Sequence, residues 1–319
     1  MRYVEIFMEK KRVSRVLVLG SSGIVGHGIS SNLIKYKYNV IGTTYKKRLI
    51  CKSKNFFNYP NIDFNQNNLI KKIEKIIKKH KIQAIINCAI LHPNKSFQVK
   101  NSQVNNVNNK VVLKVLKLAL KNNLSFFINL GGHSLKQKLK EKNLPKAQKT
   151  YFRSKHLIEK KILSIKSIDT KIVSLNIIAP YGYILDETSV VPKFINQVKQ
   201  GKNINIFGDG KREQIFTFSE DIGSACRYIF EKNLSGAISF AGPSAISTKY
   251  LAKTIISVFG KKKIQIFLNK KIKDKSGPAV KNYLKEREQK KTLSIKKHSL
   301  RKSLIKILYQ QTRIKIKKK

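Results

Sequence analysis

The sequence predicts an α/β fold, a doubly wound parallel sheet with a smaller C-terminal lobe. Three observations carry the prediction. Short apolar runs alternate several times with lysine-rich stretches whose isoleucines and leucines recur at helical spacing. The first run, Arg15–Leu19, stops at Gly20, and glycines follow as Gly20-x-x-Gly23-x-x-Gly26. From about residue 180 the character changes: Pro180, Gly182, Pro192, Gly201, Gly208 and Gly210 cut the chain into short pieces.

The elements follow in order. Residues 1–14 form an extension ahead of the first strand. After the glycines, Ile24, Ile29, Leu33 and Ile34 recur at helical intervals. Strand, glycine turn and helix is the layout that sets a pyrophosphate on a helix N-terminus, where backbone N–H groups and the helix dipole meet its charge. A tight turn with no ligand would use the same glycines; the strand before them and the helix after them favour a dinucleotide site. Residues 39–44 read as a second strand, and a third short segment ends near Ile62-Asp63-Phe64. Residues 66–80, with isoleucine at 70, 73, 76 and 77, form an amphipathic helix, and residues 84–89 a buried parallel strand. Residues 104–121 form a helix with Val111, Val112, Val115, Leu116, Leu118 and Ala119 inward, and residues 125–130 a strand ending at Gly131-Gly132.

Right-handed crossovers then give a Rossmann order, with ligands beyond the carboxyl ends of the strands. The segments placed there are residues 20–26, 43–48, 63, 88–92 and 130–134. A Rossmann domain spans 15–178 and the smaller lobe 179–311, some of its strands returning to the main sheet. Leu300, Leu304, Ile305 and Leu308 fit one helix face to about Gln310, leaving 312–319 as a basic tail.

The charge is unusual: 67 Lys+Arg against 17 Asp+Glu give +50 over 319 residues. One reading is a partner with many negative charges, nucleic acid or an acidic membrane surface. The other is compositional, because lysine is spread over the whole chain (Lys71, Lys72, Lys75, Lys78 and Lys79 on one helix), whereas a footprint should cluster on one face. The spread favours the second. Cys51, Cys88 and Cys226 have no metal-ligand spacing and do not suggest a disulfide framework. No run approaches the roughly 18 apolar residues of a membrane span, and no signal-peptide pattern precedes Arg15. A reducing cytoplasm is the default location, and no metal is called for.

Tyr151 and Lys155 lie four apart on a helix-like stretch running through Leu157, Ile158 and Ile162, one turn from each other. An ammonium nearby stabilises phenolate and would lower the tyrosine from its ordinary value. Such a tyrosine exchanges a proton with a hydroxyl or carbonyl while a nicotinamide exchanges the hydride. A half-buried tyrosine beside a solvated lysine is the bland alternative. Order and spacing change the balance. The glycine turn, the strand ending near 130 and Tyr151/Lys155 on the next helix resemble the extended short-chain dehydrogenase/reductase family, and within it the NAD-dependent epimerase/dehydratases of nucleotide sugars. Ile85-Ile86-Asn87-Cys88-Ala89, Ala179-Pro180-Tyr181-Gly182, the stretch Phe207-Gly208-Asp209-Gly210-Lys211-Arg212 leading to Asp221-Ile222-Gly223, and residues 235–242 are similar to the family's motifs, in order.

The resemblance implies roles. Gly20, Ser22, Gly23, Ile24 and Gly26 would hold the cofactor pyrophosphate, Asp63 meet the adenine, and Ala89 pack beside the cofactor. Asn105 falls where the family carries a helix asparagine. Tyr151 would be the acid/base and Lys155 its partner, also holding the nicotinamide ribose; Arg212 would contact substrate phosphate. Three departures stand out. Gly132 occupies the place of the family's Ser or Thr after strand five, with Ser134 or His133 as substitutes, although His133 equally reads as a solvent-facing loop histidine. Thr43-Thr44-Tyr45-Lys46-Lys47-Arg48 lacks the acid that holds the ribose diol of NAD, and Lys46 and Arg48 suit a 2′-phosphate, a lean toward NADP. Ala179 replaces the substrate-binding asparagine. A dehydratase fits less well, because His133-Ser134 stands where dehydratases carry Asp-Glu.

The expectation is an NAD- or NADP-dependent epimerase, dehydratase or ketoreductase acting on a nucleotide sugar, for surface polysaccharide. The alternative is a decayed Rossmann binding protein that uses its basic surface on RNA or another polyanion. Relatives often dimerise through helices 104–121 and 151–166, so a homodimer here would have to accommodate Lys110, Lys114, Lys117, Lys160 and Lys161.

Overall fold

The computed structural model describes residues 13–45, 53–92, 100–133, 145–185, 189–260, 263–271, 280 and 290–316. The first half runs β1 (Arg15–Leu19), α1 (Ile24–Lys35), β2 (Asn39–Thr43), β3 (Phe56–Tyr59), α2 (Leu69–Lys79), β4 (Ala84–Asn87), α3 (Asn101–Asn105), a π-helical turn (Asn106–Val111), α4 (Val112–Lys121), β5 (Phe126–Gly132) and α5 (Lys146–Leu163). The second half runs β6 (Lys171–Ile177), β7 (Pro180–Tyr181), α6 (Val190–Lys199), β8 (Ile204–Phe207), β9 (Glu213–Ile215), β10 (Thr217–Phe218), α7 (Ser219–Glu231), β11 (Gly236–Phe240), β12 (Ala245–Ser247), α8 (Thr248–Phe259), β13 (Ile266–Asn269), β14 (Lys291–Thr292) and α9 (Leu300–Ile316).

Eight strands form one sheet in the order β14-β11-β6-β5-β4-β1-β2-β3, and every neighbouring pair is parallel. This is the Rossmann order, reversing at β1/β4. Strand alternation divides the core into two layers. Val16, Val18, Ile128, Val173 and Leu175 pack on Ile29, Leu33, Ile222 and Ile229 of α1 and α7. On the other face Leu17, Leu19, Ile85 and Phe127 meet Ile73 and Ile77 of α2, Val115 and Leu116 of α4, and Ile158 and Ile162 of α5. A third core, including Tyr181, Phe194, Ile195, Ile204, Phe218, Leu251, Ile255, Leu304 and Ile307, builds the second lobe. Its strands pair in twos, β8 with β13, β9 with β12 and β7 with β10. The lobe is threaded through the chain rather than appended, since α7 covers α1 and β11 and β14 return to the main sheet.

Three local expectations change. The third strand is Phe56–Tyr59, ahead of the segment ending at Phe64; it pairs Val40 with Phe56 through Thr43 with Tyr59, and Asn61 at φ 58° then turns the chain. The helix expected over 104–121 starts at Asn101 and contains a π-helical turn, where Asn108 bonds to backbone outside the helix. The C-terminal helix continues to Ile316, past the residue where a tail was expected, because no glycine or proline follows Leu308 to stop it.

Candidate active site

The glycine turn is built by backbone contacts. Gly20 sits at φ 75°, a conformation that favours glycine, and its N–H donates to Thr43 Oγ1 at 3.2 Å. A Cβ on Gly20 would lie 2.9 Å from the Ala89 backbone, and one on Gly26 only 2.3 Å from the Gly20 carbonyl oxygen. These two glycines let turn, helix and β4 close up. Gly23 differs: a Cβ there would meet only the Gly20 oxygen at 3.5 Å, so the space beside it is open. Gly23 is also the N-cap of α1; no side chain caps that helix and no acidic residue lies in its first turn. Open space beside uncapped amides at a helix N-terminus fits a pyrophosphate. Ile24 and Ala89 continue this wall into the main cleft, and Ser22 sits half-buried in the turn.

The main cleft, about 760 Å³, opens beyond the carboxyl ends of β4, β5 and β6 and is closed by the second lobe. It brings together Ala89, Tyr151, Lys155, Ala179 and Arg212, which lie far apart in sequence. The described lining residues include the cations Lys155, Lys193 and Arg212 and no carboxylate.

Tyr151 and Lys155 face the cleft from α5. Lys155 Nζ donates to the carbonyl oxygen of Leu130 near the end of β5. Burial pushes the Lys155 ammonium down to about 8, with Cys88 and Glu159 pulling it back up. Burial pushes the Tyr151 phenol up to about 12. The expectation that Lys155 lowers the tyrosine is therefore corrected: the ammonium is committed to a backbone oxygen, desolvation dominates, and Tyr151 stands as a neutral phenol. The His92 ring meets the Tyr151 ring edge-on, with centroids 4.4 Å apart.

The remaining expected residues divide. Gly132 lines the cleft and offers no hydroxyl. His133 is buried rather than solvent-facing, with Nε2 3.2 Å from Ser239 Oγ on β11. Ser134, Lys46 and Arg48 lie outside the described residues. Asp63 lies outside the main cleft, in the loop after β3, where it accepts the Asn65 N–H at 2.8 Å; the Ile62 N–H to Thr44 oxygen bond keeps this loop beside the end of β2. Ala179 lines the cleft at φ 36°, a left-handed conformation that alanine adopts with strain and asparagine tolerates better. Arg212 is half-buried in the lobe wall and its carbonyl takes the Thr248 N–H at 3.0 Å.

Asn105 is corrected. It is exposed and accepts from Asn109 at 2.8 Å, whereas Asn108 and Asn109 are buried. Asn108 takes the Leu91 N–H at 2.9 Å, donates to the Leu91 oxygen at 3.0 Å and to Ser154 Oγ at 3.3 Å, tying the loop after β4 to α5. The sequence of 105–109 could not show which of its asparagines are buried, because the π-helical turn shifts which positions face in. Glu159 and Lys290 were also missed; their pairing spans 131 positions and leaves no local signal.

Fold and cleft define a Rossmann-type protein whose second lobe closes over the strand ends. The chain belongs to the NAD-dependent epimerase/dehydratase family, whose sequence model matches residues 16–239. It is similar to a dTDP-D-glucose 4,6-dehydratase of Dictyostelium discoideum, 25% identical over 276 residues, covering 77% of this chain and 62% of that one. The chain thus spans less than two thirds of that relative's length. Among solved structures it resembles a UDP-N-acetylglucosamine 4-epimerase of Methanobrevibacter ruminantium (TM-score 0.71, 20% identity, 94% of this chain and 99% of that one). A UDP-glucose 4-epimerase of Thermus thermophilus, solved with NAD, gives a TM-score of 0.67 at 16% identity, covering 92% and 99%. At these identities the structures speak for the fold.

Proposed function

We propose that this protein is an NAD- or NADP-dependent enzyme acting on a nucleotide sugar by epimerisation or keto-sugar reduction, with Tyr151 as the acid/base. The observation that carries the reading is the cleft itself: Tyr151 and Lys155 on one wall, Arg212 on the other, three cations and no carboxylate among its described lining residues. Such a lining suits a ligand whose charge is a diphosphate. His133-Ser134, standing where dehydratases of the family carry Asp-Glu, favours epimerisation or reduction over dehydration. The named relatives act on UDP- or dTDP-sugars, which supports the substrate class.

The uncapped N-terminus of α1 at Gly23 would receive the cofactor diphosphate. When bound, the nicotinamide supplies or accepts the hydride at substrate carbon. Tyr151, neutral in this structure, donates its phenolic proton to a substrate carbonyl oxygen and accepts one from a hydroxyl in the reverse direction. Lys155 holds its ammonium at the Leu130 oxygen, beside the ring it serves. Residues 43–45 offer no carboxylate for an adenosine ribose diol, which extends the reading to NADP; a relative solved with NAD supports NAD. The binding-only alternative is not favoured, since the Tyr151/Lys155 wall is retained.

Tyr151→Phe tests the assignment. With UDP- and dTDP-hexoses as substrates, turnover should fall by about 10²–10⁴, while the rise in melting temperature on adding NAD or NADP stays. Equal turnover in the variant would remove Tyr151 from the chemistry. No turnover of any UDP- or dTDP-hexose by the native protein would contradict the substrate class.

A further inference from the structure

Behind the cleft, α5 repeats its stripe once more. Tyr151, Lys155 and Glu159 are spaced by four, and the third is a carboxylate only 8% exposed. Glu159 Oε1 accepts Asn176 Nδ2 on β6 at 2.7 Å and Lys290 Nζ at 2.9 Å. Asn176 is fully buried and pairs in register with Gly131 of β5 on one side and Ser239 of β11 on the other. Its Oδ1 would stand 2.0 Å from a Cβ on Gly131, so strand and amide pack here without a side chain between them. Gly131 follows Leu130, whose oxygen holds Lys155. Helix α5 is thus fastened to the sheet twice, by Lys155 to β5 and one turn later by Glu159 to β6. Lys155 lies one helical turn before Glu159, and Lys290, paired with its carboxylate at 2.9 Å, comes from the far edge of the sheet, just ahead of β14.

We infer that Glu159 and Lys290 form a positioning pair that sets how firmly Lys155 is kept cationic and on the Leu130 oxygen. The inference rests on the reading of Lys155 as the site's lysine. A buried ammonium is disfavoured by desolvation, and an opposite charge nearby restores it. Glu159 supplies that charge, while Lys290 draws on the same carboxylate. Among the described residues, the titratable and charged groups that line the cleft with Lys155 are Tyr151 on its own helix, Cys88 and His92 after β4, His133 after β5, and Lys193 and Arg212 from the second lobe. Burial pushes the Cys88 thiol up to about 12, with the Lys155 ammonium pulling it down.

The pair makes opposite predictions for its two members. Removing the carboxylate with Glu159→Gln leaves an acceptor for Asn176 but strips Lys155 of its counter-charge. Removing the competing cation with Lys290→Met leaves the carboxylate's charge unpaired by Lys290, with Asn176 still bonded to it. The ionisation of Lys155 can be read without any ligand, by trace acetylation with acetic anhydride across a pH series and mass spectrometry of the Lys155 peptide. In the native protein the labelling midpoint should lie near 8. Glu159→Gln should lower it and Lys290→Met raise it, each by about one unit.

Midpoints that move in the same direction, or stay put, overturn the inference, because a merely structural pair would perturb both variants alike. If Glu159→Gln does not fold, Lys290→Met decides: a raised midpoint upholds the pair and an unchanged or lowered one overturns it. Turnover of nucleotide sugars is a separate readout. Opposed midpoints in a protein that turns over no nucleotide sugar would sink the proposed activity and leave the charge pair standing.

Discussion

At the scale of single residues, chemistry here is set by burial as much as by neighbours. Lys155 ionises about 8 in the fold against an ordinary 10.5, so the folded chain binds fewer protons than the unfolded one between those values. Stability from this group therefore rises with pH through that window, and the buried ammonium is a cost below it. Lys155→Met should melt at a higher temperature than the native protein at pH 7, with the advantage shrinking as pH rises from 8 toward 10.5. Thermal unfolding of both proteins over a pH series checks this; a constant difference would mean that Lys155 is not desolvated. The same residue shows where local sequence reading stops. Spacing placed Tyr151 and Lys155 one turn apart, which they are. It could not show that the ammonium turns to the Leu130 oxygen and leaves the phenol neutral, because that choice belongs to a strand end some 25 positions away.

At the scale of elements, the π-helical turn at Asn106–Val111 is the joint of the site. It aims Asn108 at the Leu91 backbone and at Ser154, so one buried amide holds the loop after β4 against α5. Asn108→Leu should cost about 1–2 kcal/mol, since it removes the bonds and leaves the half-buried Leu91 backbone groups without this partner. Chemical denaturation measures this directly, and a loss below about 0.5 kcal/mol, the range of an ordinary surface change, would deny the joint. Most of the sheet was legible in sequence, because parallel strands buried on both faces read as short apolar runs: Ala84–Asn87 is buried throughout. The third strand was not, because Phe56–Tyr59 lies at the sheet edge with mixed burial and lacks that signature. The π-helical turn buries Asn108 and Asn109 rather than Asn105, a register change that periodicity assumes away. Residues 93–99 and 134–144, which flank the cleft in sequence, lie outside the described residues, and Ser134 with them.

At the scale of the whole molecule, the net charge of +50 acts as self-repulsion in the compact state. Much of it lies on outward faces such as that of α2, where Lys71, Lys75, Lys78 and Lys79 are exposed around a buried row of Leu69, Ile73, Ile76 and Ile77. Salt should screen the repulsion, so the melting temperature should climb between low and moderate ionic strength; a fall would point to exposed ion pairs as the larger effect. The central proposal is that a nicotinamide dinucleotide would lie across the N-terminus of α1 and reach Tyr151. The most direct measurement is a thermal-shift titration of the protein and its Gly23→Leu variant with NAD, NADP and their reduced forms. A ligand that binds only the native state raises the melting temperature by mass action. A Cβ on Gly23 would meet only the Gly20 oxygen at 3.5 Å, so the variant should fold. The account predicts a rise in the native protein that is lost in Gly23→Leu, with the stronger ligand naming the cofactor. No rise with any of the four, or an equal rise in the variant, would contradict it.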